Sequence, residues 1–185
     1  MSSPLAKARP IKSFLSIVGM SVLAAITYGI IHDQITARIC VEYFTVGHPR
    51  LIDSESPTIL GLFWGVVATW WVGLPLGIGL AIAARRGKRP MLAPADLVVP
   101  LGKLLLGMFV VAAIGGMIGY ITAKNGTFEL VERLAVRIPP ERHVAFLVCG
   151  WAHGASYLSG LIGGIALWVL TWRRRGRMAH DMAVG

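Results

Sequence analysis

The sequence predicts an all-α polytopic membrane protein: four transmembrane helices, an ordered outer loop and a short outer amphipathic helix. Three observations carry that prediction. Hydrophobic residues make up 55% of the chain, and mean hydropathy is +0.67. Charged residues make up only 15%, against ~25% in a soluble domain, and they are clustered. Four apolar runs, at about 11–33, 58–84, 97–123 and 143–172, each supply the ~20 residues that a bilayer core demands. Lipid offers the backbone no hydrogen-bond partner, so all four should be helical, within a single membrane domain over 1–185.

The chain opens on a basic tail with Lys7, Arg9 and Lys12. The apolar run after it could be a signal peptide, with Ala24 and Ala25 as small residues near its end. It continues unbroken to Ile31, however, which exceeds the ~7–15-residue core of such a peptide and favours an uncleaved first span. Beyond it, Ile39-Cys40-Val41-Glu42-Tyr43-Phe44-Thr45-Val46 is rich in β-branched and aromatic residues, a composition that favours extended chain. Residues 38–56 form the ordered outer loop, with Tyr43 and Phe44 suited to the membrane interface.

Ser56-Pro57 opens span two as N-cap and first helical residue, and Pro75 should kink it. Gly61-x-x-x-Gly65 and Gly73-x-x-x-Gly77 invite close helix packing, as do Gly115, Gly116 and Gly119 in span three. Lys103 lies near one end of span three, from which its stem can reach the headgroups. Asn125-Gly126 signals a turn. Phe128, Val131, Leu134, Ala135 and Ile138 then recur at helical spacing opposite Glu129, Glu132, Arg133 and Arg137, which predicts the amphipathic helix. Pro139-Pro140 ends it. In span four Cys149, His153 and Tyr157 follow at four-residue intervals and share one face.

Charge sets the orientation. The tail, the Arg85-Arg86-Gly87-Lys88-Arg89 loop and Arg173, Arg174, Arg175 and Arg177 are strongly basic, whereas the two opposite loops are close to neutral. Both termini are therefore expected in the cytoplasm. The net +9 belongs to that collar, which argues against a nucleic-acid partner and for membrane lipids. Cys40 and Cys149 both fall on the outer side, where a disulfide is permitted, though two cysteines make no framework. No phosphate loop, dinucleotide-binding glycine pattern, His-Glu-x-x-His helix or nucleophile elbow occurs.

Polar residues deep in an apolar chain need partners or a task. Here they gather at His32-Asp33-Gln34. His32 lies 20 residues after Lys12 and His153 lies 20 residues before Arg173. At ~1.5 Å per residue, both stand ~30 Å from the inner boundary, at the outer hydrocarbon edge. Glu42 and His48, in the loop beyond, can reach the same level. His32, Glu42 and His153 thus form a candidate ligand set for Zn²⁺ or another divalent ion, two borderline nitrogens with one charge-neutralising oxygen. Asp33 would orient an imidazole or act as general base, and Gln34 and Tyr157 would hydrogen-bond a substrate. His143 is expected to face solvent.

The motif Tyr28-Gly29-x-x-His32-Asp33-Gln34-x-Thr36, followed by Glu42-Tyr43-Phe44-Thr45, resembles a signature of uncharacterised small bacterial integral membrane proteins. The likeness is weaker through Trp71-Val72-Gly73 and Trp151-Ala152-His153. It implies a bacterial inner-membrane setting and no activity.

Three functional classes follow. The first is a metal-dependent membrane hydrolase or transferase acting on a lipid or lipid-linked substrate at the outer leaflet. The second is a non-catalytic subunit with a structural polar cluster, whose glycine faces dock a homo-oligomer or a larger membrane complex. The third is haem or quinone binding, with His32 and His153 as axial ligands. A channel or transporter is disfavoured, because the span centres hold almost no polar residues.

Overall fold

The computed structural model describes residues 4–184, with side chains from Ile11 onward; Lys7 and Arg9 of the basic tail lie outside the described side chains. It is all helical, with no strand among the described residues. Four helical stretches are long and apolar enough to cross a membrane: Ile11–Ile39, Pro57–Arg85, Ala95–Lys124 and Pro140–Val184. The elements are α1 (Pro4–Ile39), α2 (Glu42–Thr45), α3 (Pro57–Val67), α4 (Trp70–Arg85), α5 (Ala95–Lys124), α6 (Glu132–Ala135) and α7 (His143–Val184). A 3₁₀ turn at Pro140–Arg142 leads into α7. With 42 residues, α7 is ~63 Å long and outruns the hydrocarbon.

Several expectations change. Helix α1 runs to Ile39, well past His32 and Asp33, because Asp33 and Thr36 are buried among other helices and the Thr36 hydroxyl donates to His32 O within the helix. The stretch predicted as extended folds into the α2 turn, since Phe44 gains burial against Leu60 and Trp64 and packing overrides propensity. The outer amphipathic helix is a single turn, and Val131 and Val136 stay exposed. A segment that short, ended by Pro139, lies below the length at which helix propagation compensates nucleation.

Span two is broken, and the break precedes Pro75. Pro75 crowds the carbonyl four residues earlier, that of Trp71 in the first turn of α4. The chain opens at Ala68 and Thr69, just ahead of that turn. Val72 N–H bonds Thr69 O at 3.0 Å, and Gly73 N–H takes the same oxygen. The Ala68 carbonyl is left to accept from the Tyr157 hydroxyl at 3.2 Å.

The chain forms two compact units. One draws on residues up to Ile26, Thr69–Leu105 and residues from Gly160 on. Its core gathers Ile17, Leu80, Ala81, Ala84, Leu92, Leu97 and Leu167. Gly73 and Gly77 let α4 press on Val22 and Ser21 of α1. The other draws on Thr27–Ala68 and Leu106–Ser159. Here a Cβ on Gly65 would lie 2.5 Å from Ile30 Cα, and one on Gly61 would lie 3.0 Å from the Asp33 carbonyl carbon. Those two glycines bring α3 directly onto the polar turn of α1.

Candidate metal centre

Within the second unit, α1 supplies His32 and Asp33 and α7 supplies His153. The three are 6%, 4% and 8% exposed, so the cluster is closed off from solvent. One ligand atom from each lies within 4.8 Å of the others. The His32 and His153 rings meet edge to face at 4.5 Å. Tyr28 stacks on His32 at 5.7 Å, and its hydroxyl shares a hydrogen bond of 2.6 Å with Ser156. Tyr43 and Phe44 of α2 cover His153 at 4.6 and 5.9 Å.

Hydrogen-bond accounting shows what the cluster lacks. His153 Nδ1 lies 2.8 Å from the Cys149 carbonyl, which can only accept, so Nδ1 carries the hydrogen. The other nitrogen, Nε2, faces Asp33 Oδ1 at 3.1 Å. In a neutral imidazole that nitrogen is a lone pair, and two acceptors do not hold that spacing unaided. A proton or a cation must lie between them. Beside this pair, His32 Nε2 is buried and has no hydrogen-bond partner among the described residues. An unsatisfied buried nitrogen costs ~1–3 kcal/mol. Two nitrogens and a carboxylate oxygen could hold a metal ion.

The remaining candidates make other contacts. Glu42, expected as a ligand, lies outside the group. The α2 turn directs its carboxylate to Arg142, whose Nε donates to both oxygens at 3.2 and 3.1 Å, and the Cys40 thiol donates to it at 3.3 Å. Burial raises the Glu42 pKa, but its own N–H, the Cys40 thiol and Arg142 outweigh burial and hold it below the usual range. Asp33 takes the place in the group that Glu42 was expected to fill. Gln34 joins α1 to α3 by donating to Thr58 O at 2.9 Å while its oxygen accepts from Arg38 at 2.6 Å. Tyr157 holds the opened carbonyl of Ala68.

His48 packs on Trp64 at 4.6 Å and donates from Nδ1 to Tyr43 O at 2.8 Å. Burial lowers its pKa, against the opposing pull of that bond. His143, expected in solvent, turns Nε2 to Ile138 O at 2.9 Å and ties the start of α7 to the turn before it. Cys40 and Cys149 are free thiols, both buried in one cluster with Ile138 and Phe146. Burial, followed by the bond to Glu42, pushes the Cys40 thiol up to about 11.

No family model, curated protein or solved structure matches this chain. The site is therefore read from its own chemistry. A cavity of about 220 Å³ under the loop between α2 and α3 is lined by Phe44, Arg50, Glu55, Leu60 and Trp64 among others, and none of the three clustered residues lines it.

Proposed function

We propose that this protein is a four-span bacterial inner-membrane protein, with both termini cytoplasmic, whose His32, Asp33 and His153 bind one divalent transition ion, with Zn²⁺ the best match. The observation that supports this reading is the double deficit at the cluster. His153 and Asp33 need a positive charge between them, and His32 offers an idle lone pair beside it. Tetrahedral Zn²⁺ holds its ligand atoms ~3.3 Å apart, from bonds of ~2.0–2.1 Å. The His153–Asp33 spacing of 3.1 Å is close to that, and the His32 ligand atom, within 4.8 Å of both, would draw in to complete the set. An ion there would supply Lewis-acid activation of water for hydrolysis or group transfer on a lipid or lipid-linked substrate. Closure of the cluster fits a substrate that arrives through the lipid rather than from water.

One observation favours a second reading. The Nδ1 bond to Cys149 is equally satisfied if His153 is an imidazolium paired with Asp33, and the cluster is then a structural ion pair within a non-catalytic subunit. Elemental analysis of the full chain, purified without chelator, separates the two, and a visible spectrum excludes or reveals haem. The metal reading requires about one equivalent of a divalent ion that is lost on Asp33→Ala. Metal-free protein that is indifferent to chelator leaves the ion pair.

A further inference from the structure

The other unit gathers positive charge around a fully buried arginine. Arg175 is 0% exposed and spends its donors on four main-chain carbonyls: Pro90 from Nε at 2.7 Å, Ala83 from one terminal nitrogen at 2.6 Å, and Arg86 and Arg89 from the other, each at 2.9 Å. Among the described residues, no carboxylate forms an ion pair with it. Arg89 stacks on the Trp172 ring at 4.3 Å and donates to Trp172 O at 2.9 Å. Arg85 binds Leu92 O at 2.8 Å, yet its Nε is buried without a hydrogen-bond partner. Gly87, at φ +86°, makes the turn that folds the loop over Arg175.

We propose that this basic end is a binding site for the phosphate headgroup of an anionic lipid. The Arg175 clamp fixes the loop that carries Arg85, Arg86, Lys88 and Arg89, and Arg173 and Arg177 stand two residues to either side of Arg175 on α7. The carboxylate recorded among them is Asp96, which is 3.9 Å from Arg174 and already accepts the Ala93 N–H. Buried charge that meets no carboxylate among the described residues calls for an anion from outside them. The depth selects which anion. The apolar run of α7 ends at Trp172, the arginines begin at the next residue, and the exposed Trp172 ring beside them suits the headgroup level. A clamp made with main-chain carbonyls also fixes the path of the loop that carries Arg85, Arg86, Lys88 and Arg89 before the lipid arrives.

The test uses the full chain in detergent, with native mass spectrometry reading retained lipid. Phosphatidylglycerol and phosphatidylcholine with identical tails are titrated separately, and inorganic phosphate serves as competitor. The wild type should retain phosphatidylglycerol at least tenfold better than phosphatidylcholine, and millimolar phosphate should not displace it. The side chains of Arg86, Lys88 and Arg173 are exposed and make none of the clamp bonds, to which Arg86 lends only its main-chain carbonyl. Arg86→Gln, Lys88→Gln and Arg173→Gln together should erase the preference, at roughly fivefold per charge removed. Should the triple variant misfold, Lys88→Gln alone should lower the preference roughly fivefold. Equal retention of the two lipids, an unchanged preference in the variants, or displacement by phosphate would each overturn the proposal, the last because it would reveal a free-anion site.

Discussion

Replacing His32 with leucine separates an ion-binding cluster from a plain ion pair by the sign and size of the stability change. Without an ion, the His32 ring contributes its stack on Tyr28 and its edge contact with His153, worth ~0.5–1.5 kcal/mol if aromatic pairs are a guide. Against that stands the buried Nε2 with no partner, a cost of ~1–3 kcal/mol that leucine removes. The two nearly cancel, so the variant should fall within about 1 kcal/mol of the wild type, or ~4 °C in Tm for a chain of this size. With an ion at 1,000 times its Kd, the wild type gains ~4 kcal/mol that the variant loses. That is a drop of roughly 8–16 °C. Thermal unfolding of both proteins, each with and without chelator, reads the difference directly. The metal reading expects the wild type to fall to the level of the variant on chelation, while the variant does not move. A variant that drops by ~10 °C with and without chelator alike, or that still carries a stoichiometric ion, would refute the accounting.

Three further outcomes can be measured. Gly65→Ala should destabilise by ~1–3 kcal/mol in thermal unfolding, because the new Cβ meets Ile30 backbone at 2.5 Å, whereas Gly154→Ala, with nothing within 4 Å, should be neutral or slightly stabilising. The folded-state Glu42 pKa lies below its ordinary 4.5, so the stability from its pairing with Arg142 is complete above that value and is lost as pH falls through the folded pKa. Arg142→Met should flatten this acid loss in a series of melts from about pH 6 to pH 3. Cys40, held protonated by burial, should resist maleimide at pH 7.5 in the native protein and react once it is unfolded.

Span number and type were legible because lipid imposes one rule on every residue of a crossing segment, so length and hydropathy suffice. Local end signals also carried through: Ser56-Pro57 starts α3, and Asn125-Gly126 turns the chain with Gly126 at φ +68°. The pairing of His32 with His153 was readable from depth alone. What could not be read was direction. Glu42 and Asp33 are both carboxylates near one helix end, and only the α2 turn, formed to bury Phe44, sends Glu42 toward an arginine 100 residues away. Asp33 then remains as the carboxylate facing the imidazoles. The break at Ala68 was equally hidden, since neither Ala68 nor Thr69 is a breaker by type. Nor does an arginine in a basic run declare that it is the buried one, and Arg175 differs from Arg173 and Arg174 only in the helix face it occupies.

The Arg175 clamp also has a consequence in time. Synthesis runs from the N-terminus, and the carbonyls that Arg175 binds lie 85 to 92 residues before it. The loop between spans two and three therefore exists long before the residue that fixes it. While α5 and most of α7 are being made, those four carbonyls must be solvated by water and headgroups instead. The loop can close only when the last span has emerged almost to its end. Closure of this loop would thus be among the last events of assembly, and it would make an intact final span a condition for the shape of a segment made much earlier.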